Sequence, residues 1–213
     1  VNRNVLVAGL CLVAMIALGV TFAGDSGPSA FDTAIRGVID RGLGGDEPLL
    51  RLLVVSTQPY VLIPLLVLAA LLCFAEKRPR DGVFVVVTTP VAITLNTWVL
   101  KPAFGRHYDD WLAYPSGHTV SLVATLTVLV VIARPGVARG LTAALSVVLV
   151  VAAGIGLIGL DYHYATDVLG GVLFASALAL LSAQVCRRRA PAPSTGSPRA
   201  DISSGSHRSP SRP

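Results

Sequence analysis

Six stretches of this chain carry no charged side chain: residues 5–23, 52–75, 83–100, 119–133, 141–160 and 168–186. Most approach or exceed the roughly 20 residues that a helix needs to cross a hydrocarbon core. In that medium the backbone must satisfy its own N–H and C=O groups. Apolar runs without alternation are therefore expected to cross as helices. The expected fold class is all-α: a polytopic membrane protein with six transmembrane helices in a bundle. Composition agrees, since 14% of the residues are charged where soluble domains carry about 25%. Residues 23 and 24 have the small-residue look of a signal cleavage site. The preceding apolar run is longer than a signal h-region, so an uncleaved first span is expected.

The basic residues fall at alternate ends of these runs. Arg3, the 76–81 loop, the 134–139 loop and Arg187 to Arg189 share one side, which the positive-inside rule makes cytoplasmic. Both termini are then cytoplasmic. The net charge of +5 belongs to these loops and is no nucleic-acid signature. Cys11, Cys73 and Cys186 lie in or beside apolar runs and read as small buried hydrophobes. With four histidines and no paired cysteines, no metal site and no cofactor are expected. Residues 190–213, rich in Pro, Ser and Arg, read as a disordered cytoplasmic tail. Residues 1–189 are left as one membrane domain.

Three connections face the other side. In the first, Phe31, Ala34, Ile35, Val38 and Ile39 fall at helical spacing, predicting a short interfacial helix broken at 42–48. Arg36 and Arg51 read as interfacial anchors. The second connection, residues 101–118, gathers Lys101, Arg106, His107, Asp109, Asp110 and His118. It ends in Pro115-Ser116-Gly117-His118 where the next apolar run begins. Helix N-termini present free N–H groups and partial positive charge, which suits a phosphate. Ser116 reads equally well as a simple N-cap. The third connection, 161–167, carries His163 and Asp167 four residues apart, on one face if that segment is helical.

Two imidazoles with cationic neighbours suit phosphoryl transfer: one attacks phosphorus and the other protonates the leaving oxygen. A carboxylate on one ring nitrogen fixes the tautomer of the attacking ring. Lys101 and Arg106 would offset phosphate charge, while Ser116 and the Gly117 N–H would bind its oxygens. Each residue also has a plainer reading. Lys101 can snorkel from a helix end, Asp167 can cap a helix, and Asn96 can serve helix packing instead of supporting the site.

Pro115-Ser-Gly-His118, followed by His163-x3-Asp167 on a six-span frame, resembles the type 2 phosphatidic acid phosphatase superfamily. Its members are metal-independent lipid phosphatases that share a helical core with acid phosphatases and vanadium haloperoxidases. The likeness runs from about Asn96 to Gly171 and includes Tyr162-His-Tyr-Ala-Thr-Asp-Val-Leu-Gly-Gly171. It implies that His163 is the nucleophile and forms a phosphohistidine. Asp167 would orient it and His118 would be the general acid. Lys101, Ser116 and Gly117 would bind phosphate.

Two departures stand out. The family's first motif, Lys-x6-Arg-Pro, meets Tyr108 and Asp109 here, leaving Arg106 as the substitute. Its third motif, Ser-Arg-x5-His-x3-Asp, meets Gly156 and Leu157, so a phosphate-clamping arginine is absent. Arg106, His107 or Arg36 would replace that charge, or the substrate presents less of it, or the site only binds. The expected function is hydrolysis of a lipid phosphate or pyrophosphate at the outer leaflet of a bacterial plasma membrane. Polyprenyl, prenyl-linked sugar and phosphatidyl phosphates are the candidate lipids. A phosphotransferase using the same histidine and a lipid-binding protein with a degenerate site are the alternatives.

Overall fold

The computed structural model describes residues 3–188, with side chains through residue 184. The tail expected at 190–213 lies outside the described residues. The helices are α1 (Arg3–Thr21), α2 (Ala30–Leu43), α3 (Glu47–Val54), α4 (Pro59–Ala75), α5 (Pro79–Leu95), α6 (Lys101–Phe104), α7 (Gly117–Ile132), α8 (Val137–Gly159) and α9 (Ala165–Arg188). A π-helical turn over Asn96–Leu100 joins α5 to α6. Between α6 and α7 the chain forms one small hairpin, β1 (His107–Tyr108) and β2 (Trp111–Leu112), pairing His107 with Leu112 and Tyr108 with Trp111.

The fold is all-α apart from that hairpin. Among the described residues five segments are long and apolar enough to cross a membrane: Arg3–Thr21, Glu47–Ala75, Pro79–Phe104, Val137–Gly159 and Ala165–Gln184. The sixth apolar helix, α7, has only 16 residues, about 24 Å of rise. It is apolar on every face and sits within the bundle, against α9, α5, α8 and α4. Such a helix is buried by protein on most sides. Outward faces elsewhere are apolar instead, with Leu10, Val13, Leu71, Val86, Val147 and Val148 exposed. Surface this greasy fits a lipid solvent, not water.

In lipid, packing replaces hydrophobic exclusion as the force between helices, and small residues allow backbones to approach. Accordingly, α9 buries Ala175, Ala177, Ala179 and Ala183 and packs chiefly on α1 and α7. Gly156 does the same between α8 and α3. A Cβ there would stand 2.8 Å from the Leu50 carbonyl oxygen and 2.6 Å from Val54. A serine such as the third motif of the resembled family carries would have no room at this position, and position 157 beside it is fully buried.

The second apolar run is not one helix. Val55–Thr57 forms a 3-10 turn and Gln58 is extended, because Pro59 disfavours helical backbone in the residue before it. The amphipathic helix α2 spans Ala30–Leu43 and ends within the expected break at 42–48. Ser29 caps it, and Ser29 and Asp32 exchange hydrogen bonds in a capping box.

Candidate active site

Three connections converge at one end of the bundle. Gly105, with φ of 62°, ends α6 by donating its N–H to the Lys101 carbonyl, a left-handed cap that suits glycine. The turn it makes drives Arg106 inward, and the hairpin then carries the chain to α7. Ser116 is the α7 N-cap, and its Oγ accepts from the Thr119 N–H and hydroxyl. Asn96 donates to the Pro115 carbonyl at 3.3 Å. This amide therefore supports the Pro-Ser-Gly-His segment as well as packing within the helices.

Two glycines of α9 fix that segment from the other side. A Cβ on Gly170 would lie 2.3 Å from the Tyr114 ring, and one on Gly171 would lie 3.0 Å from the Ser116 carbonyl oxygen. Tyr114 is itself pinned, donating its hydroxyl to the Met15 carbonyl at 2.6 Å. The third connection begins at Asp161, which has φ of 58°. It delivers His163 from the turn before α9, not from a helix, so the expected helical register does not bring the pair together. Asp167 instead reaches back within the first turn of α9. Its Oδ2 accepts the Tyr164 N–H at 3.0 Å and lies 3.8 Å from His163 Nδ1.

A cavity of about 700 Å³ opens at this junction. Lys101, Gly117, His118, Ser121, Tyr162 and His163 line its polar side, while Pro59, Ile93 and Trp111 line the apolar side. The His118 and His163 rings meet edge to face, with centroids 5.9 Å apart and planes inclined at 68°. Lys101 Nζ donates to the Leu112 carbonyl beside them. His163 is only 5% exposed. Burial pushes its pKa below the ordinary imidazole value, opposed by Asp167 and reinforced by the Lys101 charge. A ring held neutral in this way keeps a lone pair available. Among the described residues no cluster of three His, Cys, Asp or Glu side chains is arranged to hold a metal ion.

Of the seven residues named from sequence, Lys101, Gly117, His118 and His163 line the cavity, and Asp167 lies directly behind His163. Ser116 and Arg106 do not line it. Ser116 is fully buried as a cap. Arg106, expected on the phosphate, is also fully buried. Its guanidinium donates to Asp167 at 2.8 Å, Thr166 Oγ1 at 2.6 Å and Asp32 at 3.2 Å. Phe22 and Tyr164 rings lie against it at 4.4 and 4.6 Å. Two buried carboxylates claim the charge, and a buried cation goes where it is compensated. Of the other proposed substitutes, His107 is exposed on the hairpin. Arg36 lines a second cavity of about 320 Å³ that also touches His163. There it pairs with Asp40 and Asp161 and donates to the Ile158 carbonyl.

Asp32 is the residue that sequence reasoning missed. It is 2% exposed, and its oxygens accept from the Thr166 N–H at 2.8 Å, the Thr166 hydroxyl, Ser29 and Arg106. Burial alone would raise its pKa, but the hydrogen bonds from Thr166 and Ser29 outweigh that and hold it below the usual carboxylate value. The Ser29-x-x-Asp32 spacing of a capping box is the one signal that could have drawn attention to it.

Comparison with known proteins gives a single finding. No curated protein and no solved structure matches the chain significantly. Residues 89–191 match the model of the PAP2 superfamily, a segment that contains the cavity-lining lysine, both histidines and Asp167. Together with the apolar helices, this points to a membrane enzyme of the phosphatase type. The chain carries a PAP2 superfamily domain over residues 89–191, consistent with membership of the type 2 phosphatidic acid phosphatase superfamily.

Proposed function

We propose that this protein hydrolyses a lipid phosphate through a phosphohistidine on His163. The observation that carries the reading is the edge-to-face pair His118 and His163, with ring centroids 5.9 Å apart on one cavity that Lys101 also lines. His163 Nδ1 is turned toward Asp167, which leaves Nε2 as the attacking atom. Nε2 forms a bond to phosphorus as the phosphorus–oxygen bond to the lipid breaks, and His118 protonates the departing alkoxide. Water then attacks the phosphohistidine and gives its proton to His118. The nitrogen–phosphorus bond breaks and inorganic phosphate leaves. Lys101 and the N-terminal N–H groups of α7 offset the charge on the phosphoryl oxygens.

The apolar wall of Pro59, Ile93 and Trp111 suits the chain of a polyprenyl or phosphatidyl lipid. Lys101 is the one Lys or Arg on the cavity wall among the described residues, and Leu157 is uncharged and buried. A monophosphate, or a sugar phosphate linked to a prenyl carrier, is therefore the better fit than a pyrophosphate. In this reading α7 counts as a sixth span, α1 begins and α9 ends on the cytoplasmic side, and α2 lies along the outer interface. The basic loops support this orientation. Arg78 donates to the Ile132 carbonyl and Arg134 pairs with Glu76, so these charges gather at the end remote from the cavity.

The test is phosphate release by purified protein from a polyprenyl monophosphate, a polyprenyl pyrophosphate and a phosphatidate, with EDTA present and His163→Ala alongside. Release that persists in EDTA and vanishes in the variant is expected. Folded wild-type protein that releases phosphate from none of the three would overturn the reading.

A further inference from the structure

Five buried side chains form a continuous chain of contacts from the interfacial helix to the proposed nucleophile. Asp32 on α2 accepts from Arg106 Nη2, Arg106 Nη1 donates to Asp167 Oδ1, and Asp167 Oδ2 faces His163 Nδ1. Thr166 closes the ring, accepting from Arg106 Nη1 and donating its N–H and hydroxyl to Asp32. All five are 5% exposed or less. Burying a cation with two carboxylates is costly unless every group is paired, and sheer stability does not require the arrangement. An apolar contact between α2 and α9 would hold the helices as well.

We propose that Asp32 and Arg106 are positioning residues for the His163–Asp167 pair, acting as a buried anchor that fixes which carboxylate oxygen the histidine meets. This inference rests on the hydrolytic reading above. Arg106 occupies Oδ1 and the Tyr164 N–H helps hold Oδ2, so the carboxylate does not rotate. Asp32 is needed because a guanidinium is a fork. Nη2 also donates to the Gly27 carbonyl, at 3.3 Å. Released from Asp32 it would keep only that long bond to a neutral acceptor, and would turn toward Asp167 to make a bidentate pair that competes with His163 for Oδ2. The first connection thereby becomes part of the catalytic apparatus, although it lies outside residues 89–191.

The readout is the acid limb of kcat/KM, which follows protonation of His163. Other titratable groups around His163 are Lys101, His118 and Tyr162 at the large cavity, and Arg36, Asp161, Tyr108 and Tyr164 at the small one. All are left unchanged in the variants. Asp32→Asn is expected to lower kcat about ten- to a hundredfold with KM within about twofold. Its acid limb should move to lower pH by about half a unit or more, because Asp167 then supports the imidazolium less. Asp32→Glu, which keeps the charge, should restore the limb toward wild type. The double variant Asp32→Asn/Arg106→Gln removes the buried pair together. It should move the limb upward from wild type, since Asp167 is then shared with no guanidinium. A histidine-selective nitrogen NMR titration of His163 in the same proteins should show the same opposite shifts.

Equal losses in Asp32→Asn and Asp32→Glu, with the His163 titration unmoved in every variant, would overturn the proposal and leave a merely structural contact. The two readings fail separately. Opposite NMR shifts in a protein that releases no phosphate would sink the hydrolytic reading while upholding the anchor. An active wild type with unmoved titrations would do the reverse.

Discussion

Arg106 and Asp167 meet at 2.8 Å with neither side chain exposed to solvent, and Asp32 completes the pair from the opposite side at 3.2 Å. An arginine placed in a loop full of charges thus lies beneath the proposed catalytic pair, with its charge spent on protein carboxylates. The cavity above is left with a single lysine.

Arg106→Ala should be among the most damaging single changes in the protein. It leaves two buried carboxylates without their cation, a situation that costs about 3–5 kcal/mol. Thermal unfolding in detergent should show a large drop in midpoint. Arg106→Lys should fall between the two, keeping the charge but losing the fork that reaches both partners.

Gly171→Ala tests how α9 positions the Pro-Ser-Gly-His segment. Its methyl would press on the Ser116 carbonyl oxygen at 3.0 Å and on Thr119 Cβ at 2.9 Å, displacing the start of α7 and with it His118. A destabilisation of about 1–3 kcal/mol is expected from such overpacking, with a larger fall in kcat than in folded yield. Gly154→Ala is the control, since its nearest neighbour would be Val168 at an ordinary 3.4 Å. Equal effects of the two substitutions on turnover would refute the positioning argument.

His118→Ala should separate proton donation from attack. If His118 protonates the departing alkoxide, the variant should lose about 10²–10⁴ in kcat on a lipid phosphate. It should lose far less on an aryl phosphate, whose leaving group needs no proton. His163→Ala should abolish both. Parallel losses on the two substrates in His118→Ala would assign His118 another role.

The pH profile follows from the burial of His163. Attack needs the neutral ring, and burial lowers its pKa against the opposition of Asp167. A lowered pKa keeps the ring neutral further into the acid range. The acid limb of kcat/KM should therefore lie below the ordinary histidine value of about 6.5. Lys101→Met removes a positive neighbour and should move that limb upward. A limb well above 6.5 in the wild type would show that Asp167 outweighs burial.

Much of the site was readable from the chain because its members lie close together in sequence. His163 and Asp167 are four residues apart, and Gly117 and His118 are adjacent. The alternation of loops brought the two His- and Asp-bearing connections to one side. The convergence of His118 on His163 needed only that topology. By contrast, Ser116 supported two readings, and the structure shows its hydroxyl as the α7 cap, accepting from Thr119. The Asp109–Asp110 hairpin went unread because two residues per strand leave almost no periodicity to detect.

What the sequence determined by itself was the solvent and the element type. Long uncharged runs cannot leave their backbone polar groups unpaired in lipid, so helices follow from hydropathy alone. What only the tertiary structure decided was how the buried charges are shared. Arg106, Arg36 and Lys101 were all candidates for one phosphate, and nothing in the sequence connected Asp32 with any of them. Pairing between such groups falls off steeply with separation and depends on burial. Neither quantity exists until segments some 60 to 135 residues apart, such as Arg106 with Thr166 and Asp32 with Thr166, have been packed together.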